Sequence, residues 1–132
     1  MNLDKMYFIV IDDSKLDCFI AEKVIQNTGR SESVRSFAGA SEALEYMKAL
    51  PPDRKTVILV DIQMPLMNGF EFLDAFKNNI PVEKQSNFII NLLSSSINES
   101  DQNRAKAYPF VNQFLNKPLS KGALENMISA IA

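Results

Sequence analysis

Four groups of residues in this sequence carry side chains that could do chemistry together. Asp12 and Asp13 are adjacent. Asp61 begins the stretch Asp61-Ile62-Gln63-Met64-Pro65-Leu66-Met67-Asn68-Gly69. Ser94, Ser95 and Ser96 form a run of hydroxyls, and Lys117 precedes Pro118. Carboxylates, hydroxyls and an ammonium can bind a divalent cation, attack an electrophile and hold an anion. Three carboxylates brought within a few ångströms would repel strongly in a partly desolvated cleft. A bound cation resolves that repulsion, and oxygen-only ligands favour Mg²⁺, Mn²⁺ or Ca²⁺. Asp13 and Asp61 are the expected direct ligands, with Asp12 acting through water. The plainer alternative for Asp12-Asp13 is a helix cap, which carboxylates form well.

Histidine is absent from the chain. Ser-His-Asp and Cys-His nucleophilic sites are therefore excluded in their usual form. Histidine-ligated zinc is excluded too, and the single Cys18 cannot replace it. Cys18 cannot form an internal disulfide, lies among apolar residues, and is expected to be a buried, inert thiol. One unpaired cysteine fits a reducing compartment.

Alternating apolar runs and amphipathic stretches must position these groups. Residues 6–11, 56–60 and 87–93 read as strongly apolar strands, with shorter strands at 33–37 and 111–115. Such continuous runs suit strands buried on both faces of a parallel sheet. Between them lie helical patterns. Leu16, Phe19, Ile20 and Val24 recur at helical spacing before Thr28-Gly29, where glycine suits a left-handed stop. Residues 40–50 place Ala43, Leu44 and Met47 on one face, and Pro51-Pro52 end the pattern. Residues 68–77 turn Phe72, Leu73 and Phe76 inward. Residues 98–107 form a polar, solvent-facing helix, and 120–131 align Leu124, Met127, Ile128 and Ile131.

The count is five strand–helix units in one domain, residues 1–132. That predicts an α/β fold, a parallel sheet joined by right-handed crossovers with helices on both faces. Ligands in such sheets bind beyond the carboxyl ends of the strands. Asp12 and Asp13, Asp61, Ser94 and Lys117 each fall just there, at four strand ends. Pro65 stiffens the loop after Asp61, and Asn68-Gly69 allow tight backbone geometry before the next helix.

This set resembles the receiver domain of two-component response regulators, of the stand-alone CheY-like type. The resemblance rests on Asp12-Asp13, the Asp-x-x-Met-Pro-x-Met-Asn-Gly loop with Met64, Pro65 and Gly69, Ser94, and Lys117-Pro118. It covers essentially the whole chain, and it implies a flavodoxin-like (βα)5 three-layer sandwich whose parallel five-stranded sheet has the order 2-1-3-4-5. It implies that Asp61 is a phosphoacceptor attacking a phosphohistidine on a sensor histidine kinase or histidine phosphotransfer protein. It implies Mg²⁺ (or Mn²⁺) on Asp13, Asp61 and the Gln63 backbone carbonyl, with Asp12 through water. Lys117 would supply fixed positive charge, and the Lys117-Pro118 bond would be cis. Ser94 would move to the phosphoryl group while Phe114, otherwise a core residue, turns inward behind it. Phenylalanine has no hydroxyl, so that switching would be steric.

The resemblance places the output surface on the helix at 98–107, the strand at 111–115 and the helix at 120–131. With no residues left for an output domain, the expected output is altered affinity for a downstream protein, or phosphate passed onward. Such a protein is no enzyme beyond promoting its own phosphorylation and dephosphorylation. Gln63 and Ser96 flank the expected path of a hydrolytic water. Ser94 and Ser95 stand where Thr and Ala are commoner in the family.

Three other readings are weaker. A phosphorylation-independent pseudo-receiver would lack an acidic residue, Asp61 or Lys117. An aspartyl phosphohydrolase would want a second carboxylate where Gln63 stands. A flavodoxin-like cofactor binder would want a phosphate-cradling turn where the two aspartates stand. The net charge of -2, without a basic block, argues against direct nucleic-acid binding. The start of the chain has no signal-peptide pattern, and no run approaches a membrane span. A cytoplasmic location is expected.

Overall fold

The computed structural model describes residues 5–51 and 54–131. The chain start and Pro52, half of the expected helix stop, lie outside those residues. The elements in chain order are β1 (Met6–Ile11), α1 (Lys15–Asn27), β2 (Ser31–Phe37), α2 (Ala40–Lys48), β3 (Thr56–Asp61) and α3 (Gly69–Asn79). There follow α4 (Val82–Gln85), β4 (Phe88–Ser94), α5 (Glu99–Ala105), β5 (Val111–Asn116) and α6 (Lys121–Ile131). The five strands form one parallel sheet in the order β2-β1-β3-β4-β5.

Side chains alternate across a strand, and here both sides are buried. Phe8 and Val10 of β1, with Val57 and Leu59 of β3, face α1 and α6 through Ala21, Ile25, Leu124, Met127 and Ile128. Ile9 and Ile11, with Ile58 and Val60, face α2 and α3 through Ala43, Leu44, Met47, Phe72, Leu73 and Phe76. All six residues of β3 are buried, which explains why its sequence shows no polar alternation. The result is the expected three-layer sandwich.

Local signals end the helices. Asn68 and Glu71 make a reciprocal capping box at the start of α3, which satisfies two otherwise unpaired N–H groups. Gly29, after α1, adopts a φ of +70°, a conformation that costs a side-chain-bearing residue more.

Three readings need correction. One is the extra helix α4, a single turn after Pro81 and too short to show periodicity. Another is the buried face of α1. The apolar spacing identified the helix, but Leu16 and Phe19 are 66% and 56% exposed, while Ala21 and Ile25 make the buried contact. The third is Cys18, which is only partly buried. No helix among the described residues is long and apolar enough to cross a membrane.

Candidate functional site at the carboxyl ends of the strands

The parallel register brings the chemistry-bearing residues to one edge. The end of β3 lies beside the end of β4, with Asp61 paired to Leu93, and Ser94 of β4 pairs with Asn116 of β5. Backbone bonds continue past the strands: Ile62 N–H donates to Leu93 O, and Lys117 N–H donates to Ser94 O at 2.9 Å. These bonds clamp three loops together. The Lys117-Pro118 peptide bond is cis.

Asp12, Asp13 and Asp61 each offer one carboxylate oxygen, all within 4.8 Å of one another. Asp12 and Asp61 are buried and Asp13 is exposed, so the cluster is open to solvent on one side. The capping alternative for Asp12-Asp13 does not hold. Ser14 is the N-cap of α1, its Oγ accepting from Asp17 N–H at 3.2 Å. Asp12 Oδ1 instead accepts from Ser14 N–H at 2.9 Å.

Lys117 reaches into this cluster. Its Nζ lies 2.7 Å from Asp12 Oδ2, 2.9 Å from Asp17 Oδ2 and 3.2 Å from Asp61 Oδ2. Asp12 Oδ2 is fully buried, and the Lys117 ammonium is its partner. Burial pushes the Asp12 carboxyl above the usual carboxylate range, and the ammonium and the Ser14 N–H offset this only in part. Burial pulls Lys117 down, but the Asp12 and Asp17 carboxylates outweigh it and hold the ammonium well above its ordinary value. One cation shared by three anions is itself firmly charged, yet leaves each anion incompletely matched. Three carboxylates within 4.8 Å of one another, one of them exposed, fit a hard divalent cation that keeps some of its waters.

The loop after β3 is shaped for the same edge. Asp61 Oδ1 accepts from Gln63 N–H at 3.0 Å, which fixes one oxygen and leaves Oδ2 toward Lys117. Met64 is buried in the core with Ile62 and Phe70, anchoring a loop whose Pro65 and Leu66 are exposed. Leu66 takes a φ of +69°, unusual for a side chain of its size. A Cβ on Gly69 would stand 2.7 Å from Ile62 Cα and 2.9 Å from the Asp61 carbonyl oxygen. Glycine is thus required here for close approach. Ser94 is buried, and its Oγ accepts from Ser96 N–H at 3.0 Å; the hydroxyl proton remains available to an anion. Phe114 is partly buried against the core on the α3 face. Gln63 and Ser96 are both exposed.

The model of the response regulator receiver domain matches residues 8–129. The chain belongs to this receiver family. It is similar in structure to a response regulator receiver protein from Dyadobacter fermentans DSM 18053, with a TM-score of 0.86 and 35% identity over 95% of this chain and 96% of that one. It is equally similar to a two-component response regulator from Cytophaga hutchinsonii, with a TM-score of 0.86 and 30% identity over 98% of both chains. Among curated relatives it is 36% identical over 73 residues to protein-glutamate methylesterase/protein-glutamine glutaminase 2 of Vibrio vulnificus (strain YJ016). That match covers 55% of this chain and 20% of the relative. The chain spans about a fifth of the length of the first curated relatives it matches.

The protein is therefore a receiver domain of two-component signalling. Every strand-end residue named from its sequence lies at this edge, with Phe114 on the strand behind it. Asp17 was missed. It is an acidic residue in the first turn of α1, and nothing local in the sequence pairs it with Lys117, 100 positions away.

Proposed function

We propose that Asp61 of this receiver accepts a phosphoryl group from a phosphohistidine on a sensor histidine kinase or histidine phosphotransfer protein. The observation that carries the reading is the pairing of the Asp12–Asp13–Asp61 cluster with the Lys117 ammonium around one carboxylate. An Asp61 oxygen attacks phosphorus, the P–N bond breaks, and its electron pair returns to the donor's imidazole. That nitrogen then takes a proton from solvent. Histidine is absent from this chain, so the donor is another molecule. Mg²⁺ held by Asp13, Asp61 and the Gln63 backbone carbonyl, with Asp12 through water, would supply positive charge to the transferring oxygens; Mn²⁺ would serve the same ligands.

The chain's own residues do the rest. Lys117 balances the charge that phosphorylation adds, about -1.5 to -2. Ser94 donates its hydroxyl proton to a phosphoryl oxygen, and the Phe114 ring follows it inward. The change reaches a downstream protein through α5, β5 and α6. Gln63 and Ser96 set the phosphoryl lifetime by flanking the path of the hydrolytic water. Equal dephosphorylation rates in Gln63→Ala, Ser96→Ala and wild type would remove that role. The protein promotes only its own phosphorylation and dephosphorylation, in the cytoplasm, where its unpaired cysteine is compatible with a reducing medium.

The test is intact mass after incubation with Mg²⁺ and a small acyl phosphate. A single phosphoryl adduct on wild type, absent from Asp61→Asn, is the expected result. Wild type without an adduct under any condition would overturn the reading.

A further inference from the structure

The Lys117 ammonium has three N–H donors, and three carboxylates press on it. The contacts are unequal in kind. Asp17 receives a hydrogen bond from Nζ to Oδ2 at 2.9 Å. Asp12 Oδ2 is closer, at 2.7 Å, and belongs to the metal-binding cluster. Asp61 Oδ2 is farther, at 3.2 Å. The ammonium is thus shared between the metal-binding cluster and one carboxylate outside it, Asp17. Asp17 is also the most solvated of the three, 34% exposed against 1% for Asp12 and 7% for Asp61. Water can replace its partner, so Asp17 is the carboxylate released at least cost. A phosphoryl group on Asp61 brings three more acceptor oxygens to the same ammonium, which cannot serve them and all three carboxylates.

We propose that Asp17 is a positioning residue that tethers Lys117 in the unphosphorylated receiver and yields it when a phosphoryl group arrives. This rests on the reading of Asp61 as the acceptor. Asp17 acts through Lys117 and does not touch the phosphoryl group. Its effect is a threshold: part of the attraction between Lys117 and a phosphoryl oxygen is spent on detaching Asp17. Asp17→Asn keeps the shape and removes the charge. Its side chain is only partly exposed, but the Ser14 cap uses only the Asp17 backbone N–H, so the helix start is retained.

The test is calorimetric titration of the full chain with beryllium trifluoride, a stable stand-in for the phosphoryl group, in excess Mg²⁺. Wild type, Asp17→Asn, Lys117→Met and the double variant are compared. Asp17→Asn should bind about fivefold more tightly than wild type, the equivalent of one partly solvated ion pair. In the Lys117→Met background the same change should have no effect, because the tether has nothing to hold. A second readout is the ¹⁵Nζ resonance of Lys117. Asp17→Asn should move it in the metal-free protein and leave it unmoved in the beryllium trifluoride complex, where the tether is already released. Equal or weaker binding by Asp17→Asn overturns the tether, and so does a gain that persists without Lys117. Should Lys117→Met bind too weakly to titrate, a resonance that differs between the two bound proteins overturns it. Wild type that binds no beryllium trifluoride overturns the acceptor reading, and the tether with it.

Discussion

Gly69→Ala separates the demands of the site from those of the helix it begins. Gly69 has an ordinary negative φ and is the first residue of α3, so alanine is conformationally allowed. The obstacle is space. The new Cβ would stand 2.7 Å from Ile62 Cα and 2.9 Å from the Asp61 carbonyl oxygen, where carbon contacts are comfortable from about 3.5 Å. Both obstacles are backbone and cannot rotate aside. Either the start of α3 moves off the sheet, loosening Phe70 and Phe72, or the end of β3 moves and takes Asp61 with it. Overpacking of this kind costs about 1–3 kcal/mol, and alanine returns up to about 1 kcal/mol of helix propensity. A net loss of about 1–2 kcal/mol follows, or about 4–8 °C in Tm for a chain of this size. Gly122→Ala is the control. Gly122 lies within α6, and a Cβ there meets nothing within 4 Å. The same chemical change should there raise Tm by about 2–4 °C. Urea and thermal unfolding followed by far-UV circular dichroism measure both. The Asp61 adduct should also form more slowly on Gly69→Ala and at the wild-type rate on Gly122→Ala. A Gly69→Ala variant as stable as wild type, or shifted in the same direction as Gly122→Ala, would refute the steric argument.

Mg²⁺ at about a hundred times its dissociation constant should stabilise the protein by about 2.7 kcal/mol by mass action. Asp12→Asn should shrink that gain, and a Tm that ignores Mg²⁺ would count against the metal site. Cys18 should alkylate slowly in the native protein. Burial first, then the charge of Asp12, pushes its thiol up to about 11 from 9.0, leaving about one thiolate in a thousand at pH 8. The unfolded chain ionises first, so the thiol's contribution is intact below pH 9 and is lost as pH rises toward 11. Rapid iodoacetamide labelling of native protein at pH 8 would contradict this. Asn91→Ala should destabilise by about 1–3 kcal/mol, read from urea melts. Asn91 is fully buried, its amide donates to Ile58 O at 3.3 Å, and its Oδ1 accepts from Asn112 at 3.0 Å.

Much of the architecture was legible because strand and helix periodicities are local. The apolar run at 56–60 had to be a doubly buried strand, and Phe72, Leu73 and Phe76 had to face inward. Local patterns failed where burial is decided by what packs against a residue. Leu16 and Phe19 carry the right spacing, yet Ala21 and Ile25 make the contact with the sheet. Asn91 reads as a blemish in an apolar strand and proves to be a buried bridge from β4 to β3 and β5.

The same division runs through the site. The sequence alone determined which groups stand at the strand ends, because parallel βα topology sends every strand's carboxyl end to one edge. It could not determine how one ammonium divides itself among its neighbours. Only the folded chain shows Lys117 bonded to Asp17, closest to Asp12 and farther from Asp61. Those partners are 100, 105 and 56 positions away, counting from Lys117 to Asp17, Asp12 and Asp61 in turn. Pairing across such separations is settled by the positions of packed elements, and no local pattern of residues encodes it.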